Sequence, residues 1–413
     1  MEAAPYTVAP GVATPMPTFE RRTTIPVPAR DLFDWHARPG AFERLVPPWE
    51  SVEVLDRKGT IRDGDELRIK GPFGLLWLAR HEGFDDGRGF KDRQIDGPFA
   101  HWLHEHRVEP AGDGRAELVD ALDYGLPLAP VSDWVAGAMV RARLERMFRY
   151  RHRVTRDDLV RHARRADAPR LDVAVSGSTG MVGSSLVPFL TTGGHRVRRL
   201  VRGGSAEGPD QVDFRPRDGS LDAAGLEGVD AVVHLAGANI AGGRWTDERK
   251  DAIRRSRTEG TALVARTLAQ LERKPRVLIC ASASGIYGDR GDEIVDDQSA
   301  PGDGFLAEVV KEWEAAADPA RDAGIRVVHL RFGVILDPRG GALGKMLPAF
   351  RLGAGGPIGS GRQWMPWVAL DDVVDVVHEA LWDDAYHGPV DVVSPKPVRN
   401  ADFARTLGKV LRR

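Results

Sequence analysis

The stretch that decides the fold is Ser176-Gly177-Ser178-Thr179-Gly180-Met181-Val182-Gly183. It follows an apolar run at 171–175 and precedes a segment of helical character at 184–190, so its three glycines lie between a strand and a helix. In such a loop one glycine allows a tight turn, one lets backbone amides approach a pyrophosphate, and one lets the helix pack on the strand. The spacing therefore predicts that Gly177 to Gly183 bind the phosphates of a dinucleotide at a helix N-terminus.

The charges about 20 residues further on bear on which dinucleotide is bound. An NAD-selective loop usually has an acidic side chain there, for the ribose 2′-hydroxyl. This chain has Arg198, Arg199 and Arg202 instead. Guanidinium groups bind a 2′-phosphate, so Arg199 and Arg202 predict NADP(H) in preference to NAD(H). The alternative interpretation is a solvated strand end with no ligand.

The pattern around the glycine loop predicts an α/β fold. Apolar runs alternate with helix-length segments, which is typical of a doubly wound parallel sheet covered by helices on both faces, the Rossmann arrangement. The predicted strands are Leu171–Val175, Arg196–Val201, Ala231–Leu235, Val277–Ala281 and Val327–Leu330. Asn400 is then predicted to cap a helix that begins at Ala401.

The chain before the glycine loop has a different pattern. Residues 19–154 show short alternating strands with Gly and Asp-Gly turns, followed by one amphipathic helix marked by Val140, Leu144, Met147 and Phe148. This region is predicted to be a separate α+β domain. Residues 1–18 are predicted to be a disordered tail, and 155–170, which are dense in Arg and Asp, a linker.

Composition excludes several classes of protein. The 413 residues carry a formal net charge of −2, which gives no field to attract nucleic acid. No run of about 18 apolar residues occurs, so membrane insertion is not expected. The single cysteine, Cys280, rules out an intrachain disulfide and fits a reducing, cytoplasmic location.

From Leu171 onward the chain resembles extended and atypical short-chain dehydrogenases/reductases, and among them epimerase-family proteins with a short domain of unknown function after the Rossmann unit. The resemblance rests on five ordered motifs, which are His234-Leu235-Ala236-Gly237-Ala238-Asn239-Ile240, Arg244-Trp245-Thr246, Ser282-Ala283-Ser284-Gly285-Ile286-Tyr287-Gly288, Gly340-Gly341-Ala342-Leu343 and Gly359-Ser360-Gly361-Arg362-Gln363-Trp364-Met365. It implies an NADP-binding epimerase-like domain at 171–398, with 399–413 as the start of a truncated C-terminal module.

The resemblance also implies roles for particular residues. Leu235, Ala236 and Gly237 would lie along the adenosine and ribose part of the cofactor, and Ser282 and Ser284 would end the strand beneath the nicotinamide. For each serine, the alternative is a hydroxyl that only caps the strand end.

The usual Tyr-x-x-x-Lys dyad of these enzymes is absent, since none of the five tyrosines is followed by Lys at the fourth position. Against the family pattern, Leu306 and Val310 stand where Tyr and Lys are expected. The remaining candidate catalytic groups are Ser282, Ser284, Tyr287 and Lys311, with Glu308 nearby, although Tyr287 matches a turn position of the family rather than its acid.

The N-terminal region resembles the SRPBCC, or START-like, helix-grip superfamily, through Gly97-Pro98-Phe99-Ala100-His101-Trp102 and the run at 146–152. That resemblance implies a cavity for an apolar ligand, and Trp77, Trp102, Trp134 and Phe148 could line it. His101, His104 and His106 are interpreted as alternating on one strand face. Because no Cys or carboxylate cluster stands beside them in the sequence, they are predicted to be surface or hydrogen-bonding residues, with no metal bound.

The leading hypothesis is therefore an NADP(H)-dependent oxidoreductase or epimerase-like enzyme with unusual acid–base groups, acting on a small-molecule substrate. A second hypothesis is a non-catalytic NADP(H)-binding or sensing protein. A third, supported by no residue in particular, is a cell-division-related interaction protein.

Overall fold

The computed structural model describes residues 18–127, 131–203, 208–240 and 242–413, with the backbone alone at 131–135. The chain divides into two compact units, one with residues up to Arg38 and Leu45–Arg164, the other with Pro39–Arg44 and Arg165–Arg413. Most of the predicted tail, 1–17, and the Trp134 side chain lie outside the described residues. Among the described residues, no helix combines the length and the apolar character needed to cross a bilayer.

The N-terminal unit is built on one antiparallel sheet of seven strands. In chain order these are β1 (Thr18–Ile25), β2 (Glu53–Lys58), β3 (Glu66–Lys70), β4 (Leu76–Asp85), β5 (Gly89–Asp96), β6 (His101–Pro110) and β7 (Ala116–Gly125). The spatial order is β1-β7-β6-β5-β4-β3-β2, so neighbours along the chain pair by hairpins and β1 closes onto β7. The helices described in this part of the chain are α1 (Ala29–Ala37), α2 (Ala41–Leu45) and α3 (Val131–Ala163).

The long helix α3 packs on one face of this sheet. Leu144 and Phe148 of α3 are buried against Phe19 and Leu122, which is the arrangement that the resemblance to the helix-grip superfamily implied. The helix does not end where the apolar pattern weakens, and it runs to Ala163. The first nine residues of the predicted linker at 155–170 are therefore helical, because Leu159 and its neighbours continue the buried stripe among the charged residues.

The C-terminal unit contains an eight-stranded sheet. Its strands are β8 (Asp172–Ser176), β9 (Arg196–Val201), β10 (Gln211–Arg215), β11 (Ser220–Leu221), β12 (Ala231–His234), β13 (Val277–Ala283), β14 (Arg326–Phe332) and, further along the chain, Gly388–Val392. Between the last two of these come the short strands β15 (Val334–Leu336), β16 (Trp364–Met365) and β17 (Trp367–Ala369). The strand at Gly388–Val392 is thus β18, and it is followed by β19 (Val398–Arg399).

The spatial order of the large sheet is β11-β10-β9-β8-β12-β13-β14-β18, and all pairs except β10–β11 are parallel. The chain order reverses between β8 and β12, which is the switch point where doubly wound sheets bind their ligands. The helices are α4 (Gly183–Thr192), α5 (Asp247–Gln270), α6 (Phe305–Ala315), α7 (Asp318–Asp322), α8 (Gly341–Arg351), α9 (Leu370–Trp382) and α10 (Asn400–Leu411).

Helices cover both faces of this sheet because alternate residues of each strand are apolar on both sides. Val173 and Ile279 pack with α4 and α9 on one face, and Val232 and Leu278 pack with α5 and α7 on the other. Cys280 of β13 lies on the second face and is fully buried. Asn400 is the first residue of α10 and makes no capping bond. Its amide oxygen accepts from the backbone N–H of Ile358 instead, so the predicted cap is wrong.

Candidate functional site

The glycine loop forms a tight cradle at the carboxyl end of β8. Gly177 has φ +69°, and a Cβ there would stand 2.9 Å from the backbone N of Ala236. A Cβ on Gly183 would stand 2.3 Å from the carbonyl oxygen of Gly177. The N–H of Gly180 donates to that same carbonyl at 2.9 Å, and α4 begins at Gly183. A side chain at Gly177 or Gly183 would collide with the backbone of this loop or of Leu235 and Ala236, so the close packing requires glycine at both positions, as a phosphate-binding loop does.

Ser176 and His234 join the two strands at the switch point. The Ser176 hydroxyl lies 2.7 Å from His234 Nδ1 and accepts from the backbone N–H groups of Leu235 and Ala236 at 3.1 and 3.2 Å. Burial lowers the pKa of His234 to about 4, so at neutral pH the ring is neutral and its Nδ1 accepts the hydroxyl proton. This pair fixes the loop of Leu235, Ala236 and Gly237 beside the cradle.

The arginines at the end of β9 have different surroundings. Arg198 is part-buried, and its guanidinium donates to Asp172 (Nε–Oδ1 3.0 Å) and to the carbonyl of Gly225. Arg199 and Arg202 are exposed, and Arg199 stands opposite Val175 in the sheet register. The two arginines predicted to select the 2′-phosphate therefore lie on the surface next to the end of β8, whereas Arg198 is held by a structural ion pair.

A buried guanidinium that the sequence reasoning missed lies beside the β12 loop. Arg257 of α5 is 8% exposed, donates to the carbonyl of Ile253 at 3.1 Å and lies over the ring of Trp313. Burial and the nearby Arg249 lower its pKa, and no carboxylate partner is recorded for it among the described residues. A Cβ on Gly237 would stand 3.7 Å from its guanidinium carbon. A positive charge is therefore held close to the predicted cofactor loop.

Ser282 and Tyr287 belong to one buried hydrogen-bond network. Ser282, Arg331 and Asp391 stand side by side on β13, β14 and β18. The Ser282 hydroxyl donates to Glu314 at 2.6 Å, and the Arg331 guanidinium donates to both oxygens of Glu314 at 2.9 Å. The Tyr287 hydroxyl donates to Asp391 at 2.7 Å and accepts from Arg331 at 3.0 Å.

Within this network the Arg331 guanidinium offsets the charge of Glu314. Although burial opposes it, the hydrogen bonds from Arg331 and Ser282 hold the pKa of Glu314 below its usual range. Burial and the bond to Asp391 raise the pKa of the Tyr287 phenol, so its proton is retained. Both hydroxyls are thus engaged within the protein, Ser282 at the end of β13 and Tyr287 in the turn at Ser284–Tyr287.

The other two catalytic candidates are not brought into this network. Ser284 begins the turn after β13 and is half-buried, with no hydrogen bond recorded for its hydroxyl among the described residues. Lys311 is exposed on α6, and Glu308 faces Arg254 at 3.5 Å. Val310 packs on Tyr287 and Ile286, so a buried apolar side chain stands at the position where the family pattern has its lysine.

In the N-terminal unit, an apolar row crosses the sheet face covered by α3. Val54, Ile69 and Trp77 stand opposite one another on β2, β3 and β4, and Trp77 contacts Trp102 with ring centroids 4.9 Å apart. Trp102 and Phe148 are buried, whereas Val54 is 40% exposed. The apolar face is therefore closed by packing at β6 and open toward β2.

The interpretation of the three histidines is corrected by the structure. His101 lies on the opposite sheet face from His104 and His106, because its parity along β6 differs from theirs. His104 and His106 are buried, at 2% and 8% exposure, and are not surface residues. Carboxylates do surround them, since Asp92 of β5 and Asp120 of β7 stand within 3.2 Å of their rings.

Family comparisons agree with the two-unit architecture. A model of the "NAD dependent epimerase/dehydratase family" matches residues 173–391, and one of "Polyketide cyclase / dehydrase and lipid transport" matches residues 25–148. An epimerase family protein of Mycobacterium bovis is 40% identical over 58% of this chain and 79% of its own length. The N-terminal domain is thus of the polyketide cyclase, or SRPBCC, type, as its motifs indicated.

Solved structures support the same assignment. A nucleoside-diphosphate sugar epimerase from Corynebacterium glutamicum is 36% identical, with a TM-score of 0.79, over 95% of this chain and 83% of that one. Human epimerase family protein SDR39U1 (isoform 2), solved with NADPH, is 35% identical with a TM-score of 0.53 over 59% of this chain and 81% of that one. The predicted Rossmann and helix-grip folds are confirmed, and the chain belongs to the NAD dependent epimerase/dehydratase family.

Proposed function

We propose that the C-terminal unit binds NADP(H), with NAD(H) binding more weakly, and acts as an oxidoreductase or epimerase-like enzyme on a small-molecule substrate. The observation that carries the proposal is the cradle of Gly177 and Gly183 at the switch point, with exposed Arg199 and Arg202 at the end of β9. The human relative solved with NADPH supports the same choice of cofactor. We also propose a cytoplasmic location, because the single cysteine, Cys280, is buried and forms no disulfide.

The residues present fit such a cofactor. The loop from Gly177 to Gly183 would hold the pyrophosphate, Arg199 and Arg202 the 2′-phosphate, and Leu235 to Gly237 the adenosine and ribose portion. Arg257 would add a positive charge beside Gly237. When bound, the nicotinamide would supply hydride transfer, and the protein supplies position and proton handling.

Proton handling is assigned by elimination within the described residues near β13. The Tyr287 and Ser282 hydroxyls are committed to Asp391 and Glu314, so we do not assign either as the acid. Ser284 stands where β13 ends, and its hydroxyl is available to bind a substrate oxygen. Ser284 would therefore donate a hydrogen bond to a substrate oxygen and orient the substrate, with Tyr287 holding the turn in place.

Titration of NADPH and NADH into the full-length chain tests the cofactor assignment. We expect Arg202→Asp to weaken NADPH binding about 10- to 100-fold, because a charge-assisted contact is lost and a like charge replaces it. Arg266→Asp is the matched control, since Arg266 is an exposed arginine on α5 beyond the cradle. Equal affinities of the wild type for NADPH and NADH would remove the assignment.

The reaction is tested separately, by single-turnover oxidation of bound NADPH with a panel of carbonyl compounds and by reduction of bound NADP⁺ with a panel of sugar nucleotides. Sugar nucleotides belong in the panel because the Corynebacterium relative that spans most of this chain is described as a nucleoside-diphosphate sugar epimerase. We expect Ser284→Ala to lower turnover while leaving NADPH affinity unchanged. Tight NADPH binding with no turnover on any substrate would favour the cofactor-sensing alternative.

We further propose that the N-terminal domain binds an apolar ligand along the row of Val54, Ile69 and Trp77. The observation in favour is that this row lies on the face covered by α3 but remains open at β2. Quenching of tryptophan fluorescence by a fatty acid or polycyclic ligand should saturate in the wild type and be lost in Ile69→Asp. Val160→Asp on α3, at an exposed valine, is the control. Equal quenching in both variants would contradict the proposal.

A further inference from the structure

Nitrogen and carboxylate donors converge inside the N-terminal unit. Asp92 Oδ2 lies 3.1 Å from His104 Nδ1 and 3.2 Å from His106 Nε2. The three donor atoms that these residues offer lie within 4.8 Å of one another. Ligand atoms around a tetrahedral ion with bonds of about 2.0–2.1 Å are roughly 3.3 Å apart. The distance from Asp92 Oδ2 to each ring nitrogen is thus close to the distance between two ligand atoms bound to the same ion.

Hydrogen bonds satisfy this cluster only in part. His106 Nε2 is hydrogen-bonded to Asp92 Oδ2 at 3.2 Å, and His104 Nε2 to Asp120 Oδ1 at 3.1 Å. His106 Nδ1 is buried and lies 2.7 Å from Asp120 Oδ1, yet that contact lacks hydrogen-bond geometry and the atom has no other partner. This nitrogen faces Asp120 and is not one of the three atoms that converge at Asp92.

Negative charge is concentrated around the two rings. Both nitrogens of His104 and of His106 face oxygens of Asp92 or Asp120, and the ring centroids lie 3.8 Å apart. One divalent ion would offset the charge of both carboxylates.

A second layer of contacts orients the ligands. The far nitrogen of His104, Nε2, hydrogen-bonds Asp120 Oδ1 at 3.1 Å, and the far nitrogen of His106 contacts the same oxygen. Asp120 Oδ2 accepts from His152 Nε2 at 2.8 Å, and His152 Nδ1 lies 2.9 Å from the Thr23 hydroxyl. A ligating histidine that donates its other N–H to a carboxylate is the usual support of a protein metal site.

We propose that Asp92, His104 and His106 bind one divalent transition-metal ion, with Asp120 as the carboxylate shared by both histidines and His152 as its support. Two imidazoles and one carboxylate suit Zn²⁺ or Fe²⁺ and leave a coordination position open for water or a ligand oxygen. The site is independent of the nucleotide-binding unit, since all five residues belong to the N-terminal unit.

The experiment is a metal titration of the untagged full-length chain after treatment with a chelator. Co²⁺ serves as a spectroscopic probe and Zn²⁺ as its competitor, with the bound metal counted per chain. We expect one ion per chain, the visible bands of nitrogen-ligated Co²⁺, and a higher melting temperature with Zn²⁺ than without it. Asp120→Asn should weaken binding about 10- to 100-fold, as removal of a supporting carboxylate does.

Matched variants locate the ion. His104→Ala and Asp92→Asn should abolish the Co²⁺ bands, whereas His101→Ala, on the other face of the same strand, should leave them unchanged. Binding that survives His104→Ala would arise elsewhere, the trio of Asp375, His378 and Glu379 on α9 being the other described candidate, and would overturn the proposal. Should a variant fail to fold, the wild type decides the question, because absence of stoichiometric metal and of a melting shift would also overturn it.

Discussion

Each unit of the chain buries a cluster of charged side chains, and the two clusters are organised differently. In the C-terminal unit, the Arg331 guanidinium donates along the directions in which Glu314 and the Tyr287 oxygen accept, so every short contact is a hydrogen bond. In the N-terminal unit, one nitrogen of His104 and one of His106 form hydrogen bonds with the two carboxylates, whereas His106 Nδ1 crowds Asp120 without that alignment. Burial is similar, and geometry distinguishes the two clusters.

The difference teaches how to separate a structural ion pair from a candidate binding site. The planar guanidinium of Arg331, with its five donors, satisfies one carboxylate, a hydroxyl and a backbone carbonyl at once, so it leaves none of these groups in need of a ligand. An imidazole has two nitrogens in fixed opposite directions, so a cluster of them requires a proton or a metal ion on each inward nitrogen. The predictions below test the structural half of this comparison.

The largest effect is expected from Arg331→Met. This change leaves Glu314 buried without its partner, at 14% side-chain exposure, and removes the donor to Tyr287. Breaking a buried pair in this way costs about 3–5 kcal/mol, and we expect a loss of that size in the free energy of unfolding from denaturant titration. Arg254→Met, which removes an exposed arginine facing Glu308 and Glu312, should cost less than about 1 kcal/mol. Similar losses for the two variants would contradict the comparison.

A buried histidine without a carboxylate partner should make the folded protein less stable at low pH. Burial lowers the pKa of His234 to about 4, below its unfolded value of about 6.5, so protonation favours the unfolded chain. Stability is therefore retained above pH 6.5 and lost as the pH falls toward 4, by roughly 2 kcal/mol per such histidine at pH 5.

The measurement is the free energy of unfolding at pH 7 and pH 5 for the wild type and for His234→Asn, whose amide oxygen can still accept from Ser176. We expect the variant to lose roughly 2 kcal/mol less than the wild type between the two pH values. Burial lowers the pKa of His329 to about 4 as well, so part of the acid sensitivity should remain. An unchanged pH dependence in the variant would show that the pKa of His234 is the same in the folded and the unfolded chain.

The smallest effect is expected from Tyr287→Phe. The hydroxyl bonds Arg331 and Asp391, but Asp391 is only half-buried and water can replace the lost donor. We expect a loss of about 1 kcal/mol in stability, with NADPH affinity and substantial turnover retained. Loss of activity at unchanged stability and cofactor affinity would instead identify Tyr287 as the acid.

The sequence predicted the fold well where local patterns were strong. The five apolar runs of the C-terminal unit are strands β8, β9, β12, β13 and β14 of the structure. β10 was missed because Gln211–Arg215 is short and half polar, and the strand at Gly388–Val392 because its glycine and proline resemble a turn. The extension of α3 through 155–163 was missed because its exposed face is densely charged.

The candidate sites were predictable only in part, because sequence spacing does not give contacts across strands. The glycine loop is a local motif and could be recognised from its order alone. Asp92 and Asp120 stand 12 and 16 residues from His104, and they join it only through the antiparallel register of β5, β6 and β7. Counting parity along β6 would have placed His104 and His106 on the face of Trp102, opposite His101.

The position of Cys280 has a practical consequence for spectroscopy. It is the only thiol of the chain, it lies within the sheet core, and burial raises its pKa to about 12. Thiol-specific reagents react with the thiolate, so the folded wild type should take up almost no maleimide at neutral pH. A single cysteine introduced at an exposed position would then carry a fluorophore or spin label alone, on an otherwise unaltered background.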